Sequence, residues 1–356
     1  MSAALQQSWP PFVLIAGLLL IGLIANRDGL FAWGGARLQS LPGGGLALLG
    51  AALLLDAVVT AVLNLDTAVV FLTPVLVFAA RRRRVAVEPF LYGCVFMANA
   101  SSLFLPGSNL TNLLVLDAGT GGSGASFAAK MFPLAITAAV VTAVGVGLSF
   151  RRHLTASRSQ LSTHGVDKCE REAEARVELG AGLLATIAAV VLVLLLRQPA
   201  LAVFAVGVVA TLVELARRRV DLADVWRVVG PLSLAAAFVL TVALGTLARH
   251  WDGPAELIDG ASGPETAGLA AISTVFVNNL PSAALYSAHA VDHSRMLLLG
   301  LNVGPNLAVT GALSALLWFR AAREVDARPS LVEFSRRGIP LALVAMAAAI
   351  VVGMLT

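Results

Sequence analysis

Charge is what this chain has least of. Of its 356 residues 13% are charged and 58% hydrophobic, with a mean hydropathy of +0.85, where a soluble domain carries about 25% charged residues. That scarcity excludes a soluble globular fold and leaves an all-α polytopic membrane protein. Cysteine is nearly absent: Cys94 lies in an apolar run and Cys169 in a charged loop, so neither a disulfide framework nor a thiol metal site is implied. The five histidines, His153, His164, His250, His289 and His293, fall in or beside loops. A membrane enzyme would need metal ligands or a nucleophile with its base at membrane depth, and no such cluster is spaced for it. Met1 to Trp9 has no basic n-region, so the apolar run that follows reads as a retained span rather than a cleaved signal. The formal charge of +4 does not point to nucleic acid, because the basic residues sit in short clusters between apolar runs, as in cytoplasmic loops.

What the chain does have is apolar sequence interrupted in matched places. Val275 to Trp318 is broken at Asn278-Asn279-Leu280-Pro281-Ser282 and again at Gly300-Leu301-Asn302-Val303-Gly304-Pro305-Asn306. In the first half, Asn64-Leu65-Asp66-Thr67 interrupts an apolar run, and Asn99-Ala100-Ser101-Ser102 is followed by Pro106-Gly107-Ser108-Asn109-Leu110-Thr111-Asn112. Backbone groups freed at such breaks cannot face hydrocarbon, where each costs several kcal/mol by order of magnitude, so the breaks must be buried in protein or line a wet cavity. Paired interruptions in corresponding positions of two halves point to a secondary transporter with its site near the bilayer midplane.

Taken in order, the chain divides into a first repeat at 1–150, a linker at 151–178, a helix pair at 179–228 and a second repeat at 229–356. The first repeat holds a span at Pro11 to Ala25, a hairpin at 46–80, a broken helix at 89–116 and a span at 132–150. The second holds a span at Val229 to Ala248, a hairpin at 266–290, a broken helix at 296–320 and a span at 339–355. Asp117 to Lys130 reads as a flexible outer loop, Trp251 to Glu265 as an acidic Gly/Pro-rich one, and Arg320 to Arg337 as a basic inner loop. With Arg27 inside, the inner loops collect 21 of the 25 Lys and Arg, leaving Lys130, Arg197, Arg249 and Arg295 outside. The positive-inside rule then gives about eight crossings and two hairpins, with both termini outside and the repeats inverted. Charge alone does not separate a re-entrant hairpin at 46–80 from a full helix pair; the hairpin is preferred because it places the polar tip at mid-depth. Nothing matching the helix pair at 179–228 precedes the first repeat, so an N-terminal pair is absent or the start lies late.

The residues Val277-Asn278-Asn279-Leu280-Pro281-Ser282, Gly304-Pro305-Asn306 and Gly311 to Trp318 resemble the arsenite permease family of the ion transporter superfamily. So do Asp28 to Trp33, Leu65-Asp66-Thr67-Ala68 to Leu72-Thr73-Pro74, and Ala100-Ser101-Ser102-Leu103 to Ser108-Asn109-Leu110. That superfamily also holds citrate and dicarboxylate carriers and sodium/proton antiporters. The resemblance covers the chain from about Pro11, and implies a multi-pass protein of the cell membrane, often a homodimer, with an arsenical-pump ATPase as a candidate partner. The departures fall in the site. Where the family usually carries an acid before the Ala-Ser of the first broken helix this chain has Asn99, and where it carries an acid and a lysine around the second Gly-Pro it has Asn302 and Asn306.

The candidate substrate site gathers Asn64 and Thr67 at one tip and Asn278, Asn279 and Ser282 at the other. The broken helices add Ser108, Asn109, Thr111 and Asn112, then Asn302, Asn306 and Thr310. Amides and hydroxyls, with half-helix N-termini, suit a small polyhydroxy solute, a metalloid hydroxide or an inorganic oxyanion; the plain alternative is that each Asn only caps a broken helix. Asp66 is the carboxylate expected to carry the coupling ion, H+ or Na+, since an acid in the membrane interior is expensive and by default functional. Asp56 is the second candidate. Asp117 and Glu214 are expected to be solvated at the membrane borders, and His289 and His293 to flank the outer mouth of the second hairpin. No cofactor and no metal site is expected. Proton-coupled arsenite or antimonite efflux leads; the alternatives are cation-coupled citrate or dicarboxylate uptake, sodium/proton antiport, a non-transporting relative, and a membrane enzyme.

Overall fold

The computed structural model describes residues 2–119, 123–155, 180–289 and 291–356, and every regular element among them is helical. The first half runs α1 (Ser2–Arg27), α2 (Leu30–Ser40), α3 (Gly45–Val62), α4 (Leu65–Arg82), α5 (Glu88–Ser101), a 3₁₀ turn (Pro106–Ser108), α6 (Leu110–Gly119), α7 (Gly124–Ser149) and α8 (Arg151–Thr155). After the linker come α9 (Ala181–Leu195), α10 (Ala200–Ala216), α11 (Leu222–Val229), α12 (Pro231–Leu247) and the single turn α13 (Gly253–Glu256). The last stretch is α14 (Gly263–Val277), α15 (Asn279–Tyr286), α16 (Ser294–Val303), two 3₁₀ turns (Gly304–Asn306, Val309–Gly311), α17 (Leu313–Glu324) and α18 (Leu331–Leu355).

The expected breaks are present and have local causes. Asn64 is extended and accepts the Thr67 N–H at 2.7 Å, so the two-residue gap between α3 and α4 is an N-cap. Asn278 is held at φ 80°, ψ 153° between α14 and α15, a region in which a residue other than Gly is strained by about 1–3 kcal/mol. Two contacts hold it there: its amide donates to Thr310 O at 3.0 Å, and its Oδ1 accepts the Leu280 N–H at 3.3 Å. Pro106 and Pro305 sit in 3₁₀ turns that end α5 and α16.

Packing sets these pieces against one another. Helix α3 lies on α4 and α5, and α14 lies on α15 and α16; α4 packs on α17, α15 on α6, and α7 on α18. Helix α1 is the most enclosed of the long helices and holds α9, α10 and α12. At the α1–α10 crossing, a Cβ on Gly207 would lie 2.6 Å from Gly17 O, and one on Gly17 would lie 2.7 Å from Phe204 Cα, so small residues set the separation. A buried aromatic group joins α5, α17 and α18: Tyr92, Phe96, Trp318 and Phe334, with Trp318 Nε1 donating to Leu91 O at 2.9 Å.

Several boundaries depart from the sequence reading. The stretch Gly124 to Lys130 is the start of α7 rather than loop, because Ser123 caps it by accepting the Ser126 N–H. Leu331 to Arg337 is the start of α18, capped by Ser330, rather than the end of a basic loop. Trp251 to Glu265 contains α13 and the first residues of α14. Helices α2 and α11 were not anticipated; α11 is short, amphipathic and without a buried residue, and it turns into α12 at Gly230, φ 55°. Among the described residues five stretches are long and apolar enough to cross a membrane: Ala3–Arg27, Gly45–Val62, Gly124–Ser149, Leu222–Leu247 and Leu331–Leu355; Ala181–Leu195 and Ala200–Ala216 are shorter. Arm α3, at 18 residues, is thus itself long enough to span. Cys169, His164 and most of the 151–178 linker lie outside the described residues. Asp117 falls within α6, but its side chain is outside them too.

The α1–α10 crossing makes a simple prediction. Gly207→Val should destabilise the protein by about 1–3 kcal/mol through overpacking, read as a lower melting temperature in detergent, whereas Gly268→Ala, where an added Cβ meets open space, should leave melting within about 0.5 kcal/mol of the parent.

Candidate functional site

At the breaks the polar side chains sort into two groups, those that hold one another and those that face a cavity. Asn302, in the last turn of α16, belongs wholly to the first. Its Oδ1 accepts Ser102 Oγ at 2.6 Å and Asn109 Nδ2 at 2.7 Å, and its Nδ2 donates to Asn112 Oδ1 and to Leu298 O, both at 2.8 Å. Every donor and acceptor of that amide is used. Asn112 Nδ2 also donates to Ser102 O at 2.6 Å and Leu105 O at 3.1 Å. Asn306 accepts Asn99 Nδ2 at 2.8 Å and donates to Phe96 O at 3.1 Å, and Ser314 Oγ donates to Asn99 Oδ1 at 3.5 Å. These amides therefore sew the broken helix α5–α6 to the broken helix α16–α17, and all are buried.

Three of the predicted positions are engaged within the protein: Asn112 pairs with Asn302, and Asn306 with Asn99, neutral amides pairing where a charged residue would have needed a counter-ion. Ser108 is likewise engaged, donating to Ala61 O and accepting the Leu105 N–H. Asn278 and Thr310 hold the α14–α15 break to the second 3₁₀ turn, with Thr310 Oγ1 donating to Val275 O at 2.7 Å. Ser102, Asn99 and Ser314 are members that the sequence reading did not include among the site residues. The first two stood beside the recognised break, which was the available signal.

The second group meets in a cavity of about 540 Å³ lined at one end by Asp66, Thr67, Asn109, Asn279 and Ser314. Asp66 is half-buried at the start of α4, and Asn279 is buried at the start of α15. Thr67 Oγ1, Thr111 Oγ1, Ser282 Oγ and Asn64 Nδ2 are buried and have no hydrogen-bond partner among the described residues. Buried polar atoms without a protein partner call for water or a ligand. Asp56 is buried on α3 and is not among the cavity-lining residues, so it and Asp66 do not share that chamber.

The other end of the cavity reaches solvent between Arg27, Arg227, Arg320 and Glu324, all exposed. Each of those arginines already has a carboxylate: Arg27 pairs with Asp224, Arg227 lies 3.8 Å from Asp224, and Arg320 3.8 Å from Glu324. No Lys or His lines the cavity. Among the described residues no group of three or more His, Cys, Asp or Glu could hold a metal ion. One other acid and two histidines resolve as follows. Glu214 is buried and paired with Arg217 at 2.9 Å and Arg219 at 3.9 Å, so it is not solvated as expected; its counter-ions follow on the next turn. His289 donates to or accepts from nothing in the cavity; its Nε2 lies 2.9 Å from Ala248 O, and His293 precedes α16.

The two groups predict opposite phenotypes. Asn302→Leu strands Ser102, Asn109 and Asn112, each at about 1–3 kcal/mol, and should sharply lower both folded yield and melting temperature in detergent. Asn279→Ala removes no bond within the protein, and melting should stay within about 0.5 kcal/mol of the parent.

Comparison with known proteins agrees with this architecture. Residues 2–313 match the family model described as citrate transporter, CitMHS. The arsenical pump membrane protein of Yersinia enterocolitica is 25% identical over 368 residues, covering 94% of this chain and 83% of that protein. That of Escherichia coli strain K12 is 24% identical over 362 residues, with the same coverage. The YdaH transporter of Alcanivorax borkumensis superposes with a TM-score of 0.66 at 13% identity, covering 99% of this chain and 86% of that one, which is a likeness of fold. The chain is thus a multi-pass membrane protein and a secondary transporter, and it belongs to the citrate transporter (CitMHS) family of the ion transporter superfamily.

Proposed function

We propose that the protein exports arsenite or antimonite, as the neutral trihydroxide, in exchange for protons, by alternating access. One observation carries this reading: the inner end of the cavity offers a single carboxylate, Asp66, beside the neutral groups of Thr67, Asn109, Asn279 and Ser314, with no cation there. A multiply charged citrate would meet an acid at that end and, at the other, three arginines that already share two carboxylates, Asp224 and Glu324. An uncharged solute rich in hydroxyls has donors and acceptors for each of those side chains and leaves Asp66 free to take a proton. The similarity to arsenical pump membrane proteins over most of the chain supports the same choice.

The arrangement in the membrane belongs to this proposal. Residues 1–150 and 229–356 form inverted repeats flanking the helix pair at 179–228, with about eight crossings, two re-entrant hairpins and both termini outside. The reciprocal packing of α4 on α17 and α15 on α6 supports that relation, and the cluster of inner arginines supports the orientation. The cavity opens among Arg27, Arg227 and Arg320, so this conformation faces the cytoplasm. A second reading, cation-coupled uptake of citrate or a dicarboxylate, has the family's description in its favour.

Everted membrane vesicles separate the two. An imposed proton gradient should drive arsenite accumulation, Asp66→Asn should abolish it, and Asn279→Ala should raise the apparent KM about tenfold, the loss of one to two hydrogen bonds. Sodium-dependent citrate or succinate flux with no arsenite transport would overturn the assignment in favour of the second reading.

A further inference from the structure

Among the described residues, nine buried side-chain polar atoms have no hydrogen-bond partner, and four of them lie on one hairpin: Asp56 Oδ2, Thr60 Oγ1, Asn64 Nδ2 and Thr67 Oγ1. Their spacing is not arbitrary. Asp56 and Thr60 are four apart on α3 and so share a face, Asn64 is the break residue, and Thr67 is in the first turn of α4, where it lines the cavity. They are unpartnered polar atoms that run along the hairpin from a residue lining the cavity to a carboxylate of zero exposure.

Asp56 is the odd member of this buried hairpin. Its Oδ1 has one partner, the Cys94 thiol at 3.6 Å, whose sulfur lies 3.5 Å from Thr73 Oγ1. No Lys, Arg or His among the described residues makes an ion pair with it. The helices packed on α3 carry their charges at their ends: Arg37 on α2, Arg81 and Arg82 on α4, Glu88 on α5, Lys130 on α7, and Arg151, Arg152 and His153 on α8. Asp66 begins α4 and faces the cavity, and the Tyr92 hydroxyl is engaged with Ser330. A carboxylate buried without a counter-charge is expensive enough that it holds a proton or binds a cation. A sodium ion asks for several hard oxygen ligands, whereas the partner of this carboxyl is the Cys94 thiol.

We propose that Asp56 is a second proton-binding carboxyl, occluded in this conformation and loaded from the cavity along water molecules hydrogen-bonded to Thr67, Asn64 and Thr60. A proton enters from cavity water, each bridging water and hydroxyl accepts one proton and passes one on, and Asp56 changes from carboxylate to carboxylic acid; on release the same transfers run in reverse. This rests on the proton-coupled reading for its purpose, but it stands or falls on a measurement that uses no substrate.

The experiment is infrared difference spectroscopy of the purified full chain in lipid across a pH jump, following the carbonyl stretch of protonated carboxyls. A band that grows on acidification should be missing in Asp56→Asn and retained in Asp66→Asn, and its rise should slow about tenfold in Thr60→Val but not in Thr60→Ser. A band lost in Asp56→Asn that does not change with pH marks a fixed structural acid and overturns the proposal, as does a spectrum unaltered by Asp56→Asn. Loss of the band on adding Na+ at constant pH would assign a sodium site instead. If Asp56→Asn does not fold, the Thr60 pair decides, since equal rates in Val and Ser variants contradict the track. Arsenite flux that fails while the Asp56 band titrates would sink the substrate assignment and leave this site standing.

Discussion

The four hydrogen bonds of the Asn302 side chain are what the rest of the centre depends on. Two interrupted helices packed against each other leave backbone groups, turns and half-helix ends that have to be buried against something. Asn302 supplies it by joining α16 to Ser102, Asn109 and Asn112 of the opposite broken helix. Asn306 and Asn99 repeat the motif a turn away. Fully satisfied networks of this kind hold one arrangement because each alternative strands a buried amide. The cavity exists beside that seam, and Asn109 belongs to both, bonded to Asn302 on one side and lining the cavity on the other.

The same neutrality explains the chemistry of the chamber. Amides at the seam need no counter-ions, so no lysine or arginine has to be buried with them, and the only charge at the inner end is the Asp66 carboxylate. Arginines are confined to the open end, each held by Asp224 or Glu324. The result is a chamber polar enough for a hydroxylated solute and poor in fixed positive charge. On the proposed reading, charge selectivity falls to a single acid whose protonation changes the field throughout the cavity.

How much of this was legible in the sequence follows from what each signal depends on. The breaks were readable because Asn, Gly and Pro interrupt helices through their own backbone and side-chain chemistry, and Asn64, Asn278, Pro106 and Pro305 act locally. Helix starts at Gly124 and Leu331 were missed although their caps, Ser123 and Ser330, are local too, because Gly-rich and basic composition outweighed them. The division of the asparagines was not readable at all. Asn109 and Asn279 face the cavity while Asn302 is bonded to Asn109 and Asn112 and Asn306 to Asn99, and nothing in residue type or spacing distinguishes partners some two hundred positions apart. Likewise Asp56 and Asp66 are ten residues apart in one hairpin, and only the turn at Asn64 sends one into the cavity wall and the other behind it.

Both halves of the chain contribute to a single chamber open to the arginine-rich side. Single cysteines at Asp66 and at Asn279, in a background with Cys94 and Cys169 replaced, can be tested with a membrane-impermeant thiol reagent applied to either face. Both positions should react from the cytoplasmic face in everted vesicles and resist the reagent from the outer face. Reaction of the two from opposite faces would contradict the account, because there would then be no common chamber.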